Sequence, residues 1–476
     1  MPEQFLHGIE VVEVDDGIRP IQTVKSSVIG LIGTAPDADA TTFPLNTPVL
    51  LAGQQRLAAK LDTTGAGEGT LKDACDDIFD QTGAMVVVVR VEEGADDAET
   101  LSNVIGDGAL FTGVHALLSA QSAVKVTPRL LIAPGFTGVR PTGVKTIAVD
   151  TGGTGYAQDT TTVTIAGDGE GAEATATVAA GVVTAITVTK GGFGYTAAPV
   201  VTIAGAGAAA GATATATIAS VANPVVAELQ GIANRMRSMI FADGPNTTDA
   251  AAITYREDWG SDRIYVIDPH VMVWDTVANA AVARPASARA AGLQARLDNE
   301  KGFWWSPSNQ VLTGIVGIAR PIDFNMSDPN CIANYLNENE VATIIQADGY
   351  RLWGNRTTSA DPLWAFLSVR RTADMIYESI EQAFLWAMDR PFSAQLLRDI
   401  EGSVNAYLRH LTVVGAILGG TAWLDAELNT ADQLQAGKLF VDFDIEPAAP
   451  LEHLTFRAHR NAGYYEELVN QVAAAA

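Results

Sequence analysis

Positive charge is scarce in this 476-residue chain: 30 Lys and Arg stand against 55 Asp and Glu, a formal net charge of −25. A chain of that sign is repelled by phosphate backbones and anionic headgroups, which argues against nonspecific nucleic-acid binding and adhesion to anionic membranes. Cysteine is scarcer still. Cys75 and Cys331 are too few for a disulfide framework or a structural zinc site, and they fit a protein made in a reducing cytoplasm. The opening MPEQFLHGIEVVEVDDG has neither a basic n-region nor an unbroken apolar h-region, so it does not read as a signal peptide. The most apolar run, 411–424, is interrupted by Gly415, Gly419 and Gly420; it is too short to span a bilayer and is expected to be a buried core segment.

Catalytic signatures are missing as well. No G-x-S-x-G elbow occurs, so Asp268 and His270, at the end of a predicted strand, have no identifiable serine partner. The glycine runs at 167–171 and 205–211 lie among β-repeats rather than between a strand and a helix, which excludes a dinucleotide fingerprint. Gly437-Lys438 lacks the first glycine of a phosphate loop, because position 432 is Asp. The six histidines show no HExxH spacing. An enzyme, a cofactor and a metal are therefore not expected.

What is present is enough apolar material, 47% of the residues, to bury real cores. The length fits two to four domains, at roughly 100–200 residues each. The acidity is uneven. Residues 1–110 hold 19 acidic and 6 basic residues, nine of the acidic ones in two clusters, Asp73/Asp76/Asp77/Asp80 and Glu92/Glu93/Asp96/Asp97/Glu99. Neither cluster has the spacing of a calcium loop, and both are expected to form a solvated acidic face.

Residues 145–220 differ from their surroundings, with only seven charged residues among Ala, Gly, Thr and Val. One pattern occurs twice there, as GGTGYAQDTTTVTIAGDGEGAEATATV from Gly152 and GGFGYTAAPVVTIAGAGAAAGATATATI from Gly191. Tyr156 corresponds to Tyr195, Ile165 to Ile203 and Gly171 to Gly211. Alternating small β-formers separated by glycine pairs predict a tandem β-repeat module spanning 144–221. Its flanks read as another architecture. A buried-type strand at 129–133 precedes it, and Val225, Leu229, Ile232 and Met236 then fall on one helical face. Strands at 238–242 and 263–267 and a helix at 286–299 follow. Without the module a β-α-β-α series remains, the mark of a doubly wound parallel sheet, so the module is inserted in a strand-to-helix loop.

Upstream, strands at 27–33, 49–51 and 85–91 with a helix at 70–82 predict a small α/β unit over 26–100. Downstream, helices at 374–388 and 392–411 precede a strand alternating Leu439, Val441, Phe443 and Ile445. Leu454, Phe456 and Ala458 alternate near one end of the chain, and Phe5, Ile9, Val11 and Val14 lie in an extended apolar stretch near the other. Neither has an obvious local partner strand, so each either pairs at long range at home or adds to a neighbour's sheet.

Several segments, in one order, resemble the tail sheath protein of contractile-tailed bacteriophages and of R-type bacteriocins: FLHGIEVVEVDDG with SSVIGLIGTAP, PRLLIAPG, FADGPNTTDAAAITY, DRIYVIDPHVMVWD, KGFWWSPSN, DGYRLWGNRTTSADPLWAF, WAMDRPF and LQAGKLFVDFDIEPAAPLEHLTFR. The match spans nearly the whole chain except 144–221. The resemblance implies a multi-domain α/β and α+β protein: an N-terminal strand-exchange arm (1–25), a small α/β domain (26–100), a subtilisin-like α/β domain without the protease triad (101–345) carrying the module, an α+β tube-proximal domain (346–452) and a C-terminal arm (453–476). It implies self-assembly as stacked six-fold rings around an inner tube, contraction on a baseplate trigger, and tube, baseplate and neck proteins as partners, with no direct nucleic acid and no membrane insertion. The location implied is the virion tail, after assembly in the host cytoplasm. Strand donation by Phe5, Ile9, Val11, Val14, Leu454, Phe456 and Ala458 to a sheet containing Leu439, Val441, Phe443 and Ile445 is implied too. Arg398 and Arg409, on the helix of the tube-facing domain, are the candidate tube contacts. A bacteriocin sheath and, further off, a subtilisin-like hydrolase are the alternatives.

Overall fold

The computed structural model describes residues 20–276 and 278–474. Its centre is a nine-stranded sheet. The strand order is Gln310–Val311, Tyr350–Trp353, Val341–Gln346, Ile264–Ile267, Met239–Asp243, Leu130–Ile132, Ile29–Thr34, Met85–Val91 and Pro48–Ala52. Six consecutive strands, from Val341–Gln346 to Met85–Val91, are parallel, with Ile29 opposite both Val86 and Leu130, and Ile240 opposite Ile264. Parallel strands are covered on both faces, so they are apolar at every position. Alternate residues divide accordingly. Ile29, Leu31, Val86 and Val88 enter one core, beneath the helices Leu71–Phe79 and Ala286–Glu300. Val28, Ile32, Val87 and Val89 enter the other, beneath Pro224–Met236 and Asp249–Glu257.

This sheet corrects two expected boundaries. The strands of 26–100 are not a separate α/β unit, because Ile29–Thr34 sits between Met85–Val91 and Leu130–Ile132 in the common sheet. The boundary at 345/346 likewise cuts a hairpin, since Tyr350–Trp353 pairs antiparallel with Val341–Gln346. Pairing across a hundred residues leaves no local mark on the sequence.

The first acidic cluster is corrected too. Asp77 is 2% exposed rather than solvated. It accepts at 2.7 Å from Arg289, which is fully buried, while Arg284 holds Asp73 at 2.9 Å. Burial pushes the Asp77 carboxyl up to about 6 against the pull of both arginines, so it stays ionised at neutral pH. The second cluster is exposed as expected, and Asp96 caps the helix Asp97–Ile105 by accepting from the Glu99 N–H at 2.8 Å, while the Glu99 carboxylate accepts from the Ala95 N–H at 2.6 Å.

Residues 142–220 form their own six-stranded antiparallel sheet, ordered Thr162–Ala166, Val200–Ala204, Thr213–Ser220, Thr142–Thr151, Val182–Phe193 and Glu170–Ala179. Equivalent strands of the two repeats pair with each other, Thr164 facing Thr202 and Ile147 facing Ile186, so the module has a pseudo-two-fold axis. Its buried residues come in repeat-related pairs: Val144 with Val183, Ile147 with Ile186, Tyr156 with Tyr195, and Ala176 with Ala216. The module leaves the body beyond the carboxyl end of Leu130–Ile132, and Lys190 ties it back to Glu228 at 2.8 Å.

The C-terminal lobe attaches at the opposite, amino ends of the parallel strands. Its helix Leu367–Ala383 begins earlier and ends earlier than the expected 374–388; Arg370, half-buried, and Arg371, buried, belong to its first turns and are held there by ion pairs. Arg263, just before Ile264–Ile267, grips Asp374 at 2.6 and 3.0 Å. Arg370 reaches the same carboxylate at 2.6 Å, and Arg371 reaches Asp298 at 2.9 Å. Arg129 pairs with Glu378, and Arg237 with Glu381 at 2.7 Å. Beyond this helix, Ala394–Val414 packs on an antiparallel pair, Ile417–Trp423 with Asp442–Pro447. The run 411–424 is therefore not a buried segment. It is a helix end, a left-handed Gly415 (φ 81°) and a strand, and Val413, Leu418 and Trp423 face solvent. Removing one partner of a buried ion pair strands the other, at a cost of about 3–5 kcal/mol. Asp374→Asn is expected to lower the unfolding free energy by that order in chemical denaturation; an unchanged midpoint would show that the seam does not hold the lobes together.

Candidate functional site

The carboxyl ends of the parallel strands, where a doubly wound enzyme places its site, carry Asp243, Asp268, His270 and Ser287. The structure brings Asp243 and Ser287 together, but in the wrong sense for catalysis. The Ser287 hydroxyl donates to Asp243 at 2.6 Å and its main-chain N–H at 2.8 Å, so the carboxylate caps the start of a helix and the serine is wholly buried. Asp268 is consumed by Arg320 at 2.6 Å and by the Asn246 N–H at 2.7 Å. Burial raises both carboxyls above their usual range. Among the described residues no group of His, Cys, Asp and Glu could hold a metal ion, and no helix is long and apolar enough to cross a membrane.

The C-terminal lobe has the opposite character: polar main chain and apolar side chains left uncovered. Residues 448–461 pair with no strand of the described chain, with Leu454 61% and Phe456 86% exposed and Ala458 exposed as well. An ion pair ties the start of this arm down, joining Glu452 to Arg356 at 2.6 Å. The neighbouring sheet has just two strands, and such a pair is marginal unless braced. The brace is Asn405, whose amide takes the Ala422 C=O at 2.8 Å and N–H at 2.9 Å. Asn405 is thereby a structural clamp between the helix and the sheet. Phe443 and Ile445 lie in the Asp442–Pro447 strand, whereas Leu439 and Val441 precede it. The Asn429 side chain binds both main-chain groups of Phe440 at 2.8 Å and holds that stretch off the ladder.

Arg398 and Arg409 are exposed on Ala394–Val414, eleven residues apart and hence on one side of the helix. Phe5, Ile9, Val11 and Val14 lie outside the described residues. The first described residues dock on the C-terminal lobe: Ile21 and Val24 join its core, Val24 donates to Ser379 at 3.1 Å, and Thr23 meets the Tyr407 hydroxyl at 3.0 Å. Both ends of the described chain are thus rooted in one lobe, which no local pattern announced. Gly354 shows what the segment DGYRLWGNRT does. At φ 132° a Cβ there would lie 2.8 Å from the Ala342 main chain, while the Gly354 carbonyl accepts from Tyr265 at 2.6 Å.

Sequence reasoning missed two features of this lobe. One is a helix, Gly463–Ala474, with Tyr464, Tyr465, Leu468 and Val469 exposed, although their spacing is legible as one helical face. The other is an apolar groove of about 880 Å³ between Ala394–Val414, the 384–392 segment and the chain before Asp442–Pro447.

Three family models match the chain: a tail sheath protein Gp18 domain III N-terminal region at 26–91, a phage tail sheath protein central domain at 215–358, and a phage tail sheath C-terminal domain at 359–460. The tail sheath protein of Escherichia phage P2 is 32% identical over 98% of both chains. The chain belongs to the phage tail sheath family. The tail sheath protein of Burkholderia phage BcepMu is similarly related, at 33% identity over 98% of each chain. Among solved structures, the helical sheath of the anti-feeding prophage in its contracted state shares the fold, with a TM-score of 0.60 at 16% identity over 96% of this chain and 100% of that one. The contracted sheath complex of the PVC extracellular contractile injection system gives 0.59 at 14% identity over 98% and 100%. As a tail sheath protein, this chain is a structural component of a phage tail, and its curated relatives are structural sheath proteins.

Proposed function

We propose that this sheath protein assembles as stacked six-fold rings around an inner tail tube, in a metastable extended state, and contracts to drive the tube through the host envelope for genome delivery. The observation that carries the reading is the unpaired apolar arm at 453–458, rooted beside a two-stranded sheet with open edges. An arm from a neighbour supplies main-chain hydrogen bonds to such an edge and keeps subunits linked while their bodies rotate. In this reading Leu454, Phe456 and Ala458, together with Phe5, Ile9, Val11 and Val14, are the donors, and the strand of Phe443 and Ile445 is the acceptor. The central layer corresponds to a subtilisin-like core without a working triad, in keeping with the buried, donating Ser287. Tube, baseplate and neck proteins are the partners, and assembly takes place in the host cytoplasm, where the buried thiols of Cys75 and Cys331 stay reduced. The fold shared with two injection-system sheaths favours one second reading, a bacteriocin-type sheath built on the same exchange.

Electron microscopy of the purified protein is expected to show tubes or polysheath, and Phe456→Pro is expected to leave discrete particles; tubes of unchanged length from the variant would sink strand exchange. Arg398→Glu with Arg409→Glu should leave polysheath intact while reducing co-assembly with the tail tube about tenfold in pull-down. Equal recovery would remove both residues from the tube interface. The module lies at the end of the sheet away from the C-terminal lobe, and its ends adjoin, Thr142 facing Ser220. We therefore read it as an outward decoration. Deleting 144–221 should leave sheath assembly visible by negative stain, and loss of all sheath would place the module between subunits.

A further inference from the structure

The groove and the C-terminal helix are each incomplete in the same chemical sense. Gly463–Ala474 is exposed at every described side chain, and an isolated helix of this length is marginal in water. Tyr464 and Leu468, and Tyr465 and Val469, are i,i+4 pairs on adjacent rows, so they form one apolar face; Glu466, Glu467, Asn470 and Gln471 occupy the other side. The groove offers Phe384, Met388, Leu396, Ile400, Val441 and Phe443 to such a face. Its rim carries Arg390, seated 4.7 Å over the Trp386 ring, and Lys438, against the single carboxylate Asp389. The helix carries two glutamates and no Lys or Arg, so the charges are complementary.

We infer that this helix docks, apolar face inward, in the groove of a second copy of the chain. The inference rests on the strand-exchange reading and extends it. The groove adjoins the Asp442–Pro447 strand, the proposed acceptor of a neighbour's 454–458 segment. The helix begins five residues after Ala458, a reach of roughly 15 Å for extended chain. A strand paired at that edge delivers its helix to the groove beside it. The second contact then forms at the high effective concentration of a tethered ligand and locks the arm in place. Helix-in-groove and strand addition act together here, one giving a main-chain ladder and the other apolar burial.

Two chains each carrying one added cysteine, Leu468→Cys and Val441→Cys, mixed at full length and oxidised, test this; the native Cys75 and Cys331 are buried and do not compete. A parallel mixture of Phe456→Cys with Ile445→Cys reports on strand exchange alone. Inter-chain disulfides in both mixtures, with the first falling at least tenfold on Glu466→Lys plus Glu467→Lys and returning on adding Arg390→Glu plus Lys438→Glu in the acceptor, are the expected result. A bond only in the second mixture overturns the helix docking and keeps the exchange. Bonds in neither overturn both. Efficient intrachain bonding in the dilute Leu468→Cys/Val441→Cys double variant, or capture of Ile9→Cys by Val441→Cys in place of Leu468→Cys, assigns the groove to another occupant and overturns the inference.

Discussion

The arginine–carboxylate seam at the amino ends of the parallel strands is the interaction on which the rest depends. Arg129, Arg237 and Arg263 emerge where three strands begin, and the helix Leu367–Ala383 meets them with Glu378, Glu381 and Asp374. The Arg129 and Arg263 pairs are desolvated, whereas Arg237–Glu381 faces solvent; desolvated pairs are poor sources of net stability against an apolar alternative, but they tolerate little misalignment because every lone charge is costly. The central sheet and the C-terminal lobe therefore behave as one body. The uncovered arm at 448–461 lies outside that seam, without a partner strand among the described residues.

The module obeys a different economy. It has almost no charge and its core consists of four repeat-related pairs, so its stability is internal, with Lys190 to Glu228 among its ties to the body. Two copies of a unit that cannot bury its own apolar face do so by packing on each other, as repeat proteins do. Because its ends are neighbouring antiparallel positions, the insertion asks little of the host sheet.

Much of the architecture is legible in local pattern. The runs MVVVVRV and RIYVI could only be strands buried on both faces, the repeat is visible by inspection, and the helix face of Val225, Leu229, Ile232 and Met236 is where periodicity places it. The failures share one cause. The 26–100 unit was read as separate because Ile29 finds Leu130 at long range. The acidic cluster was read as solvated because the arginine that buries Asp77 is more than two hundred residues away. Helix Leu367–Ala383 was started late because Arg370 and Arg371 read as surface residues until their carboxylates are in place.

By itself, then, the sequence determined the repeat, the parallel strands, the lack of a nucleophile motif and, through its ordered segments, the family. These reside in spacing between near neighbours, which the chain carries whether folded or not. Only the tertiary structure decided that the first strands join the main sheet, that Ser287 donates to a buried carboxylate, and that both ends of the described chain leave from one lobe beside an open groove. Those depend on which distant groups desolvate each other, and charge compensation across hundreds of residues leaves no periodicity to read.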